Sequence, residues 1–368
     1  MFQIIMLFLL AMDIKKKYVG IDIFSGAGGL SLGAIKAGIN IPIAIEKDLN
    51  AAKTFQRNHP NTELITKDIQ DVNPHLFDII EPLIIFGGPP CQGFSLSNSK
   101  TRNEENKNNN LYQEFIRFIK ELRPKWFLFE NVEGIVSFNK GETVKQIKRN
   151  FEELGYNVNY KVLTASDYGV PQDRSRFILV GNNEGIHFEF PKRAKTKVSV
   201  MDAISDLPFL KNGQNAEALP YQNNSPSSYA KKMRNGSKIA RQNFVSKNND
   251  LVIERYKHIK QGQNWKAIPD HLMQNYKNKN NCHSGIYKRL NPSIPSVVIS
   301  NYRKNMLIHP EQDRGLSVRE AARIQSFPDD FIFEGSLMHI QQQIGNAVPP
   351  LLAEAIFKKI INYECLKR

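Results

Sequence analysis

From residue 18 to about 183, short apolar runs alternate with stretches whose apolar positions recur at helical spacing. The runs YVGIDIF, PIAIEK, ELITKD, PLIIFGG, WFLFENV, VNYKVLTA and RFILVGN read as strands. Between them GGLSLGAIKAG, DLNAAKTFQRNH, LYQEFIRFIKELR and GETVKQIKRNFEELG read as helices. Strands that alternate with helices predict an α/β fold with a doubly wound, mostly parallel sheet. Beyond Pro191 the pattern fails, and Asn, Gln, Ser, Lys, Pro and Tyr dominate to about 281. This stretch predicts a second, smaller domain, irregular and rich in loops. Helical spacing returns in LSVREAARIQSFPDDF (316–331) and PPLLAEAIFKKIINYECL (349–366). The expected division is a catalytic and cofactor-binding domain at 12–190, completed by 336–368, and a recognition domain at 191–335.

Charge sharpens this division. The chain carries a net +14, and residues 191–304 hold 21 Lys and Arg against 6 Asp and Glu. The rest of the chain is close to neutral. A basic segment beside a neutral body is the footprint of a module that binds a polyanion, although a solvated lysine-rich face would look similar. Three cysteines, Cys91, Cys282 and Cys365, are too few for a disulfide framework and wrongly spaced for zinc, so a reduced, cytoplasmic protein is expected. The apolar run at 1–11 is shorter than the roughly 18 residues a membrane helix needs and lacks a basic start. It reads as a terminal extension, a misplaced start or a short helix, and no membrane partner is expected.

Two clusters could carry chemistry. The first strand runs into DIFSGAGGLSLG (22–33), where glycines let backbone approach a ligand at a helix N-terminus. The dinucleotide fingerprint is broken, since Ser31 stands where its third glycine would be. Glu46 ends the second strand, at a distance suited to ribose hydroxyls, and Asp68-Ile69 ends the third, suited to an adenine amine and ring. Glycines alone are more often plain turns; an acid after each of the next two strands favours an adenosine-type pocket. The second cluster is GGPPCQGFS (87–95), Glu130-Asn131 and the Gln172–Arg176 link. A lone buried cysteine is usually inert packing. Here a thiol, a carboxyl and the guanidiniums of Arg174 and Arg176 are expected to converge on one sheet edge, which makes Cys91 a candidate nucleophile. The histidines show no ligand spacing, and no metal is expected.

In order, DIFSGAGG, GGPPCQGFS, ENV, QDRSRF, LSVREAARIQSFPDDF and IGNAVPP resemble the motifs of the DNA (cytosine-5) methyltransferase family, of the bacterial restriction-modification type. The resemblance implies a methyltransferase fold that binds S-adenosyl-L-methionine through Phe24, Gly26, Gly28, Gly29, Glu46, Lys47, Asp68, Ile69, Pro89, Asn346, Ala347 and Val348. It implies catalysis by Cys91, Glu130, Arg174 and Arg176 on a cytosine flipped from double-stranded DNA. Gln92, Ser95, Lys100, Arg102 and Ser300 would touch the DNA. A monomer and a cognate restriction endonuclease acting on the same site are the implied assembly and partner. Arg319 and Glu320 are expected to be structural. Two positions depart from the pattern: Lys47 stands where some relatives place an aromatic ring, and Ser300 where many have threonine. Two other readings are a transfer-RNA cytosine methylase and a DNA-binding protein without catalysis; the intact Cys91, Glu130 and arginines oppose the second. Amino-group methylases are excluded, because the loop is Pro-Pro-Cys.

Overall fold

The computed structural model describes residues 18–77, 83–90, 111–222, 225–276, 284–300, 302–304 and 306–366. Cys91, Gln92, Ser95, Lys100, Arg102, Cys282 and the run 1–11 lie outside the described residues. The chain divides into two compact units, one of 1–164, 175–193 and 352–368, the other of 165–174 and 194–351.

The first unit is built on a seven-stranded sheet in the order β3-β2-β1-β4-β5-β7-β6. The strands are β1 (Val19–Ile23), β2 (Asn40–Ile45), β3 (Glu63–Ile65), β4 (Ile84–Gly87), β5 (Trp126–Val132), β6 (Asn157–Thr164) and β7 (Ser175–Asn182). β1 to β5 are parallel, and β7 runs antiparallel between β5 and β6. β7 reverses because no crossover helix separates it from β6. The strands expected from the sequence all appear.

Both faces of the sheet are covered, which is why its central strands are apolar throughout. Helix Leu111–Leu122 turns Leu111, Phe115, Phe118 and Ile119 to the core, a helical stripe. Phe115 packs edge-on against Phe129 and Phe151. Among the Trp126 and Phe86 side chains lies helix Pro350–Leu366: Phe357 meets Phe86 with ring centroids 4.8 Å apart, and Glu364 accepts the indole N–H of fully buried Trp126 at 2.9 Å.

The second unit contains a two-stranded antiparallel sheet, β8 (Asn215–Pro220) with β9 (Ile239–Phe244), and several short helices. This pairing was not expected, since neither strand alternates apolar and polar residues. Arg323 is fully buried and donates to Asp206 at 2.6 Å and to Asp329 at 2.6 Å. Arg319 donates to the carbonyls of Arg241, Pro328 and Phe331, and Glu320 holds Arg314 at 2.6 Å while closing a capping box with Ser317. Arg319 and Glu320 are therefore structural, as expected. Trp265 is buried with Tyr256, Ile268 and Tyr287, and belongs to a core. No described helix is long and apolar enough to cross a membrane.

Candidate active site

The carboxyl ends of β1 to β5 bring two groups of side chains to one sheet edge. The first group surrounds the loop after β1. Phe24, Gly26 and Gly28 all have left-handed φ, of 68°, 56° and 95°. Such a run is strained at Phe24 and free at the glycines. Gly28 also lacks space: a Cβ there would stand 2.4 Å from Nε2 of His59. His59 is buried against Phe55, and burial pushes its pKa down to about 4, so it stays neutral beneath the loop. Beside it, fully buried Asp22 accepts the Ser31 hydroxyl at 2.5 Å, and burial raises its pKa well above the carboxylate range. The pair ties β1 to helix Gly29–Lys36.

Glu46 follows β2. Its two oxygens accept the N–H groups of Gly26 and Asp48, each at 2.7 Å, and burial raises its pKa despite those bonds. The Lys47 backbone N–H also bonds the carboxylate, which still has acceptor capacity for a hydroxyl. Asp68 takes the Gln70 N–H at 3.2 Å, which together with Lys47 Nζ at 3.2 Å holds its pKa low. Lys47 is therefore spent on Asp68 rather than laid flat against a ring. Buried Ile69 follows, with its carbonyl held by Arg117 at 2.9 Å. Backbone N–H groups, an acceptor pair and a carboxylate beside an apolar side chain match the donor and acceptor needs of an adenosine.

The second group surrounds Glu130. β4 and β5 register Gly87 with Phe129, so Gly88 falls beside Glu130. β5 and β7 run antiparallel with Val132 opposite Arg176, which brings Arg176 to the same edge. Arg176 Nε lies 2.8 Å from Glu130 Oε1. Burial raises the Glu130 pKa, and the neighbouring guanidinium opposes it only in part. The other oxygen, Oε2, would sit 2.5 Å from any Cβ on Gly88. Gly87 is equally constrained, since its Cβ would fall 1.7 Å from the Ile23 carbonyl oxygen. Asn131 is buried; its Oδ1 accepts the Val132 N–H at 2.8 Å, and its Nδ2 reaches the Pro89 carbonyl at 3.5 Å. Pro89 and Pro90 lead directly to Cys91.

The remaining candidates fall in the second unit. Arg174 is 1% exposed and donates to the carbonyls of Ile299 at 3.2 Å and Gly345 at 2.7 Å. Ser300 is exposed, and Asn346, Ala347 and Val348 end helix Leu337–Asn346. Sequence reading missed Asp22, His59, Gly88 and Gln172 as site residues. Asp22, Gly88 and Gln172 lay inside the quoted motifs, whereas His59 gave no signal beyond type.

The model of the C-5 cytosine-specific DNA methylase family matches residues 18–362. Among curated proteins, the chain is 38% identical to the type II methyltransferase M.DdeI of Desulfomicrobium norvegicum, over 93% of this chain and 88% of that one. It is 35% identical to the type II methyltransferase M1.HphI of Haemophilus parahaemolyticus, over 93% and 86% of the two chains. A crystal structure of a candidate DNA modification methyltransferase encoded within an E. coli prophage superposes with a TM-score of 0.78, at 27% identity, covering 96% of this chain and all of that one.

Proposed function

The chain belongs to the C-5 cytosine-specific DNA methylase family and is a DNA (cytosine-5)-methyltransferase, and from that premise we propose how its own residues act. The substrate is a cytosine within a specific sequence of double-stranded DNA. It is flipped from the stack at a cost of a few kcal/mol. The Cys91 thiolate adds to ring carbon 6, and a proton reaches ring nitrogen 3 from Glu130, so charge does not accumulate in the ring. Carbon 5 thereby becomes nucleophilic and takes the methyl group. A base then takes the proton from carbon 5, that electron pair re-forms the carbon 5–carbon 6 double bond and expels the thiolate, and the nitrogen 3 proton returns to the Glu130 carboxylate.

S-adenosyl-L-methionine, when bound, supplies the electrophilic methyl. Gly26 and Gly28 with Phe24, Gly29, Glu46, Asp68, Ile69 and Pro89 would hold it; Lys47 would act through Asp68. The observation that carries the mechanism is the buried Glu130–Arg176 pair. Arg176 occupies Oε1, so Oε2 is the oxygen free to hold the transferable proton. A raised pKa keeps that proton available closer to neutral pH. Arg176 fixes the carboxyl and favours the Cys91 thiolate. Gln92, Ser95, Lys100 and Arg102 are assigned to DNA.

The proposed setting is a cytoplasmic monomer that protects host DNA from a cognate endonuclease acting on the same site. The test is incubation with methyl-labelled S-adenosyl-L-methionine and either unmethylated genomic DNA or total RNA, then bisulfite sequencing. Label at one short recurrent DNA motif is expected. Label in RNA alone would move the substrate to transfer RNA, and label in neither would overturn the catalytic reading.

A further inference from the structure

Asp68 and Ile69, assigned above to the adenine, stand on little sheet. β3 is an edge strand of three residues, paired to β2 alone. Past its end the chain makes a single 3₁₀ turn, Ile69–Asp71, with the Asp68 carboxylate as its N-cap. So short a strand does not by itself fix a side chain beyond it to the fraction of an ångström that recognition needs. The turn is held instead from a distant part of the sequence. Arg117, on helix Leu111–Leu122, reaches the carbonyls at its C-terminal end. Its Nη2 donates to the Ile69 carbonyl at 2.9 Å and to that of Val72 at 3.2 Å, and its Nη1 to that of Val72 at 3.1 Å. The guanidinium is itself fixed by its own helix. Nε donates to Glu114 at 2.8 Å, Glu121 lies 3.8 Å from Nη1, and the Phe118 ring centroid is 4.9 Å from the guanidinium carbon.

The loop has other holds. Its turn closes bonds of its own, Asp71 N–H to the Asp68 carbonyl at 3.0 Å and Val72 N–H to the Ile69 carbonyl at 3.3 Å. Ile69 and Val72 are buried in the core beside the sheet. Apolar burial is non-directional, so it keeps a loop down without setting its orientation. Hydrogen bonds to two carbonyls are directional and supply what burial lacks. Only a planar fork holds both carbonyls at once; a lysine ammonium is a point charge on a flexible stem. Among the described residues Arg117 makes no bond to the Asp68 carboxylate, whose oxygens take the Gln70 N–H and Lys47 Nζ. It therefore acts on Asp68 through the backbone alone.

We propose that Arg117 is a positioning residue for cofactor selection: by clamping the Ile69 and Val72 carbonyls it sets the Asp68 carboxylate where it accepts the adenine amine. The proposal rests on the cofactor assignment above. Its test uses the full chain and calorimetry with S-adenosylhomocysteine and S-inosylhomocysteine, which bears a carbonyl in place of the amine. A carboxylate placed to accept the amine repels that carbonyl, so the wild type should prefer the adenosyl ligand by about tenfold or more. Arg117→Gln is expected to weaken S-adenosylhomocysteine about tenfold and S-inosylhomocysteine less than about twofold, which collapses the preference. Arg117→Lys keeps the charge without the fork, and should shift the preference the same way by a smaller factor. In both variants kcat at saturating S-adenosyl-L-methionine should stay within about twofold of wild type while its KM rises. Asp68→Ala should lose the same preference, and adding Arg117→Gln to it should lower affinity no further. Equal weakening of both ligands, an unchanged preference in the Arg117 variants, or a kcat that falls with the affinity would overturn the proposal. A wild type that binds the two ligands equally would sink the Asp68 assignment beneath it, and the proposal with it.

Discussion

Gly88 shows how little a residue need contribute to matter. Any side chain there would displace Glu130 Oε2. Gly88→Ala is expected to cut kcat by about a hundredfold while DNA and cofactor affinities hold, as steady-state kinetics beside calorimetry would show. Glu130→Gln should cost a similar factor or more, because an amide cannot deliver a proton. The pH–rate profile separates the two losses. The raised Glu130 pKa means the acid form is lost as pH rises through it, so the wild type should carry an alkaline fall in kcat that Glu130→Gln lacks. Cys91→Ser should end turnover and leave cofactor binding intact, and retained turnover would refute the covalent step. The meeting of Glu130 with Arg176 was legible in the sequence, because both stand in quoted motifs at the ends of neighbouring strands. Gly88 and Gln172 were not, because their roles lie in empty space and in hydrogen bonds to distant backbone.

Helix Pro350–Leu366 and β5 illustrate what is legible in an element. An apolar run such as WFLFENV can only be a strand covered on both faces, and it is. Nothing in the run announced that its cover would come from beyond residue 350. Glu364 takes the Trp126 indole N–H and the Lys125 ammonium, the latter at 2.6 Å. Glu364→Ala would strand the buried indole donor, so a loss of about 1–3 kcal/mol is expected, read as a lower denaturant midpoint. An unchanged midpoint would mean that Phe357 and its neighbours hold the helix alone. β8 and β9 were illegible for the opposite reason: NAEALP buries none of its residues fully and IARQNF buries Ala240, Gln242 and Asn243, so neither shows the apolar pattern of a strand.

Across the whole molecule, buried ionisable groups set the response to acid. His59 and His309 are both held near a pKa of about 4 by burial. The unfolded chain takes up those protons from about pH 6.5 downward, so stability should fall between about pH 6.5 and 4, by on the order of 3 kcal/mol per histidine. Burial disfavours the Glu320 carboxylate, but the Arg314 charge wins and sets its pKa at about 2, so its contribution should fade only below about pH 4.5. Scanning calorimetry from pH 7 to 3 would show two successive losses, the first reduced by His309→Gln. DNA affinity should fall linearly with salt on a double-logarithmic plot, as the basic 191–304 stretch requires. The cover that Phe357 and Glu364 place over Phe86 and Trp126 also has a temporal side. A ribosome that has released β7 must still translate residues 194–349, most of the second unit, before that helix exists, on the order of ten seconds or more. Throughout that interval an aromatic face of the sheet waits bare, so the nascent catalytic unit is a natural client for chaperones, and a stalled chain yields a sheet without its last layer.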